Sequence, residues 1–276
     1  MKNTTANDKK TWSINKGAEL KAKLDEALNF TLTSAQEITK LMDHYKINGL
    51  YNYSFFNSIM IAIQGGQMAQ SFKRWQTLNR FVKKGEKANI YVYVPAFHKE
   101  KEKDAEEERK TLSYFMLKPV FDVSQTEGEP LKYAHNSLDT SAYNYDELAT
   151  IISKLTDRPV LLEAMDEARG YCSPSKIAIN EFSNNTDRIK TLLHEAGHAL
   201  LKHDSKGNRG AEEVEAEAVA YLMMSFLDIN FELSQAYINN WARTAKDVNK
   251  TAILKAVDQL IKAITPARAE ELAEVA

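Results

Sequence analysis

Cysteine is almost absent from this chain: Cys172 is the single one among 276 residues. One thiol excludes an intrachain disulfide framework and a Cys-ligated metal site, and it fits a reducing cytoplasm. Glycine (10) and proline (6) are also scarce. Turn-dense all-β folds need both, so helices are expected to dominate. No apolar run approaches the roughly 18 residues of a membrane span, and Met1 to Lys10 hold no apolar stretch of the kind found in a secretory signal. Charge of one sign is lacking too. With 36 Lys and Arg against 38 Asp and Glu, the formal net charge is −2, too balanced to announce a nucleic-acid partner. What remains, 43 % hydrophobic and 27 % charged residues, is the composition of a folded chain long enough for one large domain or two ordinary ones.

The periodicity predicts an α+β protein. Residues 1–12 read as a mobile polar tail. Helical spacing then runs from Ile14 to His44, interrupted at Thr31–Ser34, where Ser34 and Glu37 suggest a capping box. A third helix, Tyr53–Ile63, stops at Gly65-Gly66. Two β-branched and aromatic runs, Asn89–Phe97 and Leu112–Val123, predict an antiparallel hairpin whose charged tip is Lys99–Lys110. Gln125–Ser141 reads as a linker. Beyond it come a helix (Tyr145–Leu155), short strands (Pro159–Leu162 and Lys176–Asn180), and helices at Asp187–His203, Ala211–Leu227, Leu233–Ala245 and Val248–Ile264. The expected organisation is a domain of helices with a small antiparallel sheet at 13–135, a mainly helical domain with a short sheet at 142–265, and a tail at 266–276.

The sharpest motif is His194-Glu195-Ala196-Gly197-His198, inside an amphipathic helical run. Residues i and i+4 share a helix face, so both imidazoles can ligate one ion, with Glu195 beside its open position as general base. Imidazole nitrogen suits Zn²⁺, although Mn, Co or Ni fit the same donors. A catalytic zinc needs a third protein ligand. The following helix offers Glu212, Glu213, Glu215 and Glu217. Glu213 is assigned to the metal and Glu217, one turn on, to orienting a ligand histidine. The reverse assignment, and His203 as third ligand, stay open; Glu212 and Glu215 are expected to face solvent. Tyr171 or Tyr221 is available to polarise a substrate carbonyl, Arg169–Tyr171 and Lys176–Asn180 are candidate edge strands for a peptide, and Cys172 reads as a small buried residue rather than a nucleophile.

The strings HEAGHALL and GAEEVEAEAVAYLMM resemble ImmA/IrrE-like and ArdC-like zinc metallopeptidase domains. That resemblance implies a zincin-like fold, His194, His198 and Glu213 as zinc ligands, and Glu195 as catalytic base. Tyr53-Ser54 with Asn57, VKKGEK (82–87) and VFDVSQTEG (120–128) resemble the N-terminal domain of ArdC-type antirestriction proteins. This implies single-stranded DNA as a partner and a mobile-element context. The acidic run Asp104–Glu108 has no counterpart in that pattern.

The residues themselves agree with a polarised molecule. Positions 46–100 carry a net +6, and 211–276 a net −5. In the basic stretch Lys73, Arg74, Arg80, Lys83, Lys84 and Lys87 alternate with aromatics, Trp75 among them. Cations that track phosphates beside rings that stack bases are what single strands require. The alternative is that Trp75 and Phe81 belong to a core. Three functions therefore stand before the structure: a single-stranded-DNA-binding protein with a zinc peptidase acting on an unidentified protein or peptide, a DNA-protecting antirestriction factor with a non-catalytic zinc site, and a regulatory peptidase that cleaves a repressor.

Overall fold

The structure is a computed structural model and describes residues 6–49, 53–100, 109–131, 143–203 and 207–265. These residues form a mixed α+β fold. The chain divides into two compact units: Met1–Leu24 with Asn57–Tyr133, and Asp25–Phe56 with Ala134–Ala276. Set beside the expected division into 13–135 and 142–265, Asp25–Phe56 falls with the second unit. The apolar stripe Ile38, Met42 and Tyr45 is buried there, on a helix that packs against another helix of that unit. Helical order starts at Ala6, inside the expected tail, since extending a helix costs little once its apolar turns anchor it.

In the first unit, α1 (Ala6–Thr31) contributes buried Leu20 and Leu24. The sheet consists of β1 (Ala69–Gln70), β3 (Ile90–Glu100) and β4 (Arg109–Asp122), ordered β1-β4-β3 and antiparallel, with a register shift between Ala96 and Phe97. The hairpin is as predicted; its tip, 101–108, lies outside the described residues, and so does the acidic run. The edge of β3 is managed by α3 (Phe55–Ile63) and the turn after it. The Asn57 amide accepts from Tyr93 N (2.9 Å) and donates to Tyr93 O (2.8 Å). Gln64 does the same for Tyr91, at 3.0 and 2.9 Å. Side-chain amides thus replace a missing strand along an otherwise open edge.

Two motifs singled out in the sequence meet here. β2 (Arg80–Val82) pairs antiparallel with β5 (Thr126–Gly128), so the start of the supposed linker is a strand. Gly128 has φ +135°, and a Cβ there would lie 2.4 Å from Asn79 O. That glycine serves a close backbone approach, not flexibility. Lys83 N and Nζ donate to Gln125 O and Ser124 O, and Gln125 Nε2 donates to Glu86 Oε2 and Lys87 O. The two strings are one hydrogen-bonded unit. Residues 132–141 of the expected linker lie outside the described residues.

The second unit is built around α7 (Arg209–Phe226), which is buried on almost every side. Around it pack α2 (Ala35–Gly49), α6 (Asn185–Leu201), α8 (Gln235–Thr244) and α9 (Lys250–Ile264). α5 (Tyr145–Thr156) lies against α6 and α9. Asn144 and Glu147 form a reciprocal cap on α5. A three-stranded sheet has the order β6-β8-β7: β6 (Val160–Glu163) runs parallel to β8 (Ile177–Asn180), and β7 (Gly170–Cys172) runs antiparallel to it. Among the described residues no helix is long and apolar enough to cross a membrane.

Candidate metal centre

The site lies in the second unit, where α6 crosses α7. Its geometry depends on Gly197. A Cβ at that position would stand 3.0 Å from Ala216 Cα and 3.2 Å from Ala216 O, so the two helices approach as closely as bare backbone allows. Glu213 lies three residues before Ala216 and Glu217 directly after it, so the two carboxylates stand one turn apart on α7, and the close approach at Gly197 presents both to the histidines of α6. The Nε2 atoms of His194 and His198 are 3.1 Å apart, and Glu213 Oε2 lies 3.5 and 3.7 Å from them. The three donor atoms fall within 4.8 Å of one another. Two imidazole nitrogens and one carboxylate oxygen are a donor set that fits a divalent transition metal with an open position.

Glu217 does not join this cluster. Its Oε2 faces His194 Nδ1 at 3.0 Å, and its Oε1 pairs with Lys190 Nζ at 3.0 Å. With a carboxylate beside Nδ1, Nε2 is the His194 nitrogen that faces the cluster. Burial alone would lower His194, but Glu213 and Glu217 push it up to about 9. The histidines hold Glu213 well below the usual carboxylate range. For Glu217, burial works upward, yet His194 and Lys190 keep it at about 2. Glu195 differs from both: it is buried, and that burial pushes its pKa up against the two nearby histidines. It faces a cleft of about 750 Å³, lined also by His194, His198, Glu213, Tyr171, Cys172 and Arg158.

One expectation for this region is corrected. Glu215 is buried, not solvated, with 8 % exposure. Glu215 Oε2 lies 2.8 Å from His203 Nε2, while Oε1 accepts from Asn249 N at 2.6 Å. His203 is not placed among the three converging donors. Its Nδ1 meets His198 Nδ1 at 2.8 Å. A continued helix would carry His203 far round the axis from His198, but α6 ends at Leu201 and Lys202 adopts a left-handed conformation (φ 60°). The chain turns back, and His203 N donates to His198 O. No residue pattern in the sequence announces that reversal. Glu212 is half-buried on the cleft wall.

Of the two tyrosines, Tyr221 is fully buried and its hydroxyl is bonded to Ser234 N and Lys190 Nζ, so it does not face the cleft. Tyr171 does, with its hydroxyl donating to Glu163 Oε2 at 2.9 Å. β7 reaches the site because Gly170 has no side chain; a Cβ there would lie 2.6 Å from Thr191 Cγ2 on α6. Cys172 is half-buried, bonded to Arg158 Nη1 at 2.8 Å, and raised by that burial.

In the first unit the predicted basic set separates into two groups. Trp75 is fully buried, its indole N–H donates to Phe121 O at 2.9 Å, and it is core, not a stacking surface. Arg80 is committed to Thr126 Oγ1, Thr126 O and Glu129 O, and Lys83 to Ser124 O. Lys73, Lys84 and Lys87 are exposed, and Arg74 is half-buried. The exposed rings of this region are Phe72 and Phe81, at 51 % and 54 %.

Residues 36–121 match the family model of the N-terminal domain of anti-restriction factor ArdC. The matched stretch begins in α2 of the second unit and ends in β4. The chain is also similar to two crystal structures of the antirestriction ArdC protein from the R388 plasmid. The metal-free one has 26 % identity and TM-score 0.45, covering 80 % of this chain and 86 % of that one. The Mn(II)-bound one has 25 % identity and TM-score 0.43, covering 86 % and 97 %. No curated protein matches the chain.

Proposed function

We propose that the second unit is a zinc-dependent peptidase. The observation that carries this reading is the convergence of His194, His198 and Glu213 beside the buried carboxylate of Glu195 at an open cleft. A divalent ion held by those three residues would polarise a bound carbonyl and acidify a water. Glu195, whose pKa burial raises, accepts the proton of the attacking water and delivers it to the leaving amine. Glu213 supplies a carboxylate that stays ionised. β7, an edge of its sheet among the described residues, lies along the same cleft; an extended peptide laid against it would be held by main-chain hydrogen bonds. The test is metal content by elemental analysis together with hydrolysis of an unfolded protein substrate. One zinc per wild-type chain is expected, with loss in His194→Ala and Glu213→Ala; Glu195→Gln keeps the metal and loses hydrolysis. Hydrolysis at the wild-type rate by Glu195→Gln overturns the mechanism.

A second reading concerns the first unit, and the ArdC N-terminal match favours it. We infer that this unit engages single-stranded DNA in an antirestriction role. Exposed Phe72 and Phe81 supply faces for bases, and exposed Lys73, Lys84 and Lys87 supply charge for phosphates. Binding that weakens with salt, less steeply in a Lys84→Glu/Lys87→Glu variant, is the expected result.

A further inference from the structure

We propose that His203 and Glu215 are positioning residues that set the tautomer of His198 through a two-imidazole relay. The inference rests on the metal reading above for its purpose, and on the contacts between side chains for its geometry. The chain of contacts runs in one direction. Glu215 is 8 % exposed, and its Oε1 is anchored by the backbone N–H of Asn249 at 2.6 Å. Its other oxygen lies 2.8 Å from His203 Nε2. A carboxylate only accepts, so His203 carries its proton on Nε2 and offers a lone pair at Nδ1. That lone pair faces His198 Nδ1 at 2.8 Å. Two ring nitrogens this close share one proton, so His198 is the Nδ1–H tautomer. Its Nε2, at 3.1 Å from His194 Nε2 and 3.7 Å from Glu213 Oε2, is then left with a lone pair directed at the metal position.

His194 Nδ1 faces Glu217 Oε2 directly at 3.0 Å. Each of the two histidines thus has a carboxylate of α7 behind it, one directly and one through an interposed ring. The interposed ring is placed by the reversal at Lys202. The relay also predicts an inversion. In Glu215→Gln the amide oxygen stays with Asn249 N–H, and the amide NH₂ donates to His203 Nε2. His203 then carries its proton on Nδ1, and His198 is left with a proton on Nε2, where a ligand lone pair is needed.

The test is nitrogen-15 NMR of the histidine rings in the full-length, metal-free protein at mildly alkaline pH, followed by zinc titration against a competing chelator. The wild type is expected to show His198 as the Nδ1–H tautomer, and Glu215→Gln to shift it toward Nε2–H. Zinc affinity is expected to fall about ten- to a hundredfold in Glu215→Gln and in His203→Ala. His203→Asn, whose Oδ1 can accept from His198 while its NH₂ remains free to donate, recovers most of that loss. Circular dichroism of each variant separates relay loss from unfolding. A wild-type His198 that is mainly Nε2–H, or a Glu215→Gln protein with wild-type tautomer and zinc affinity, overturns the relay. Absence of zinc binding in the wild type overturns the metal reading, and the tautomer measurement still decides the relay.

Discussion

The crossing of α6 and α7 makes Gly197→Ala an informative single substitution. The added Cβ would stand 3.0 Å from Ala216 Cα, 3.2 Å from Ala216 O and 3.4 Å from Ala216 Cβ. The two nearest atoms are backbone and cannot rotate away, so the helices must part by a few tenths of an ångström. Overpacking of this kind costs about 1–3 kcal/mol, and alanine returns about 1 kcal/mol through its helix propensity. The net is a destabilisation of about 0–2 kcal/mol, a fall in Tm of roughly 0–8 °C. The larger effect falls on the proposed metal site. Glu213 rides on α7 and the histidines on α6, and constellations of this kind tolerate only about 0.5 Å of misplacement. A loss of zinc affinity of about tenfold, read by chelator competition, is expected. Ala216→Gly in the same chain does not rescue it, because it removes the most distant of the three contacts. Wild-type zinc affinity in Gly197→Ala, or full rescue by Ala216→Gly, refutes the reasoning.

The metal-free protein should show a stability maximum in weak acid. His194 is raised from 6.5 to about 9, so its contribution is complete below 6.5 and is lost as pH climbs through about 9. Glu217 is lowered from 4.5 to about 2, so its contribution is complete above 4.5 and is lost as pH falls through about 2; Tm against pH checks both limbs. Zinc must displace the His194 proton, so affinity rises with pH up to about 9, and calorimetry in buffers of different ionisation enthalpy should register proton release on binding. Trp75→Ala removes a fully buried ring and its bond to Phe121 O. It should cost about 3–5 kcal/mol by denaturant unfolding. Phe81→Ala, at a ring 54 % exposed, should leave stability within about 0.5 kcal/mol and weaken single-strand binding by about 1–3 kcal/mol in a fluorescence titration.

Local chemistry was legible from the residues alone wherever one helix or one hairpin carried it. The i, i+4 spacing of His194 and His198 needs only a helix to place both rings on one side, and Ser34, Gly65 and the alternation through Ile90–Val94 mark their elements without help from distant residues. The acidic helix was also readable, with Glu213 and Glu217 one turn apart on it. What the sequence could not contain was any fact that depends on two segments meeting. Burial of Glu215, the fold-back of His203 behind a left-handed Lys202, and the commitment of Arg80 and Lys83 to the carbonyls of Thr126 and Ser124, some forty residues on, all follow from packing. A charged side chain looks the same in sequence whether it faces water or a buried partner. Trp75 illustrates the converse: an aromatic among lysines suits a nucleic-acid surface, yet the free energy of burying an indole sends it inward when a core is available. The linker glycine, Gly128, became a strand position because Asn79 approaches too closely for any side chain. The sequence by itself determined the helices, the hairpin and the residue types of the candidate metal site; the tertiary structure decided which carboxylate each histidine meets, because that choice is made by the distance between helix axes and not by spacing along either one.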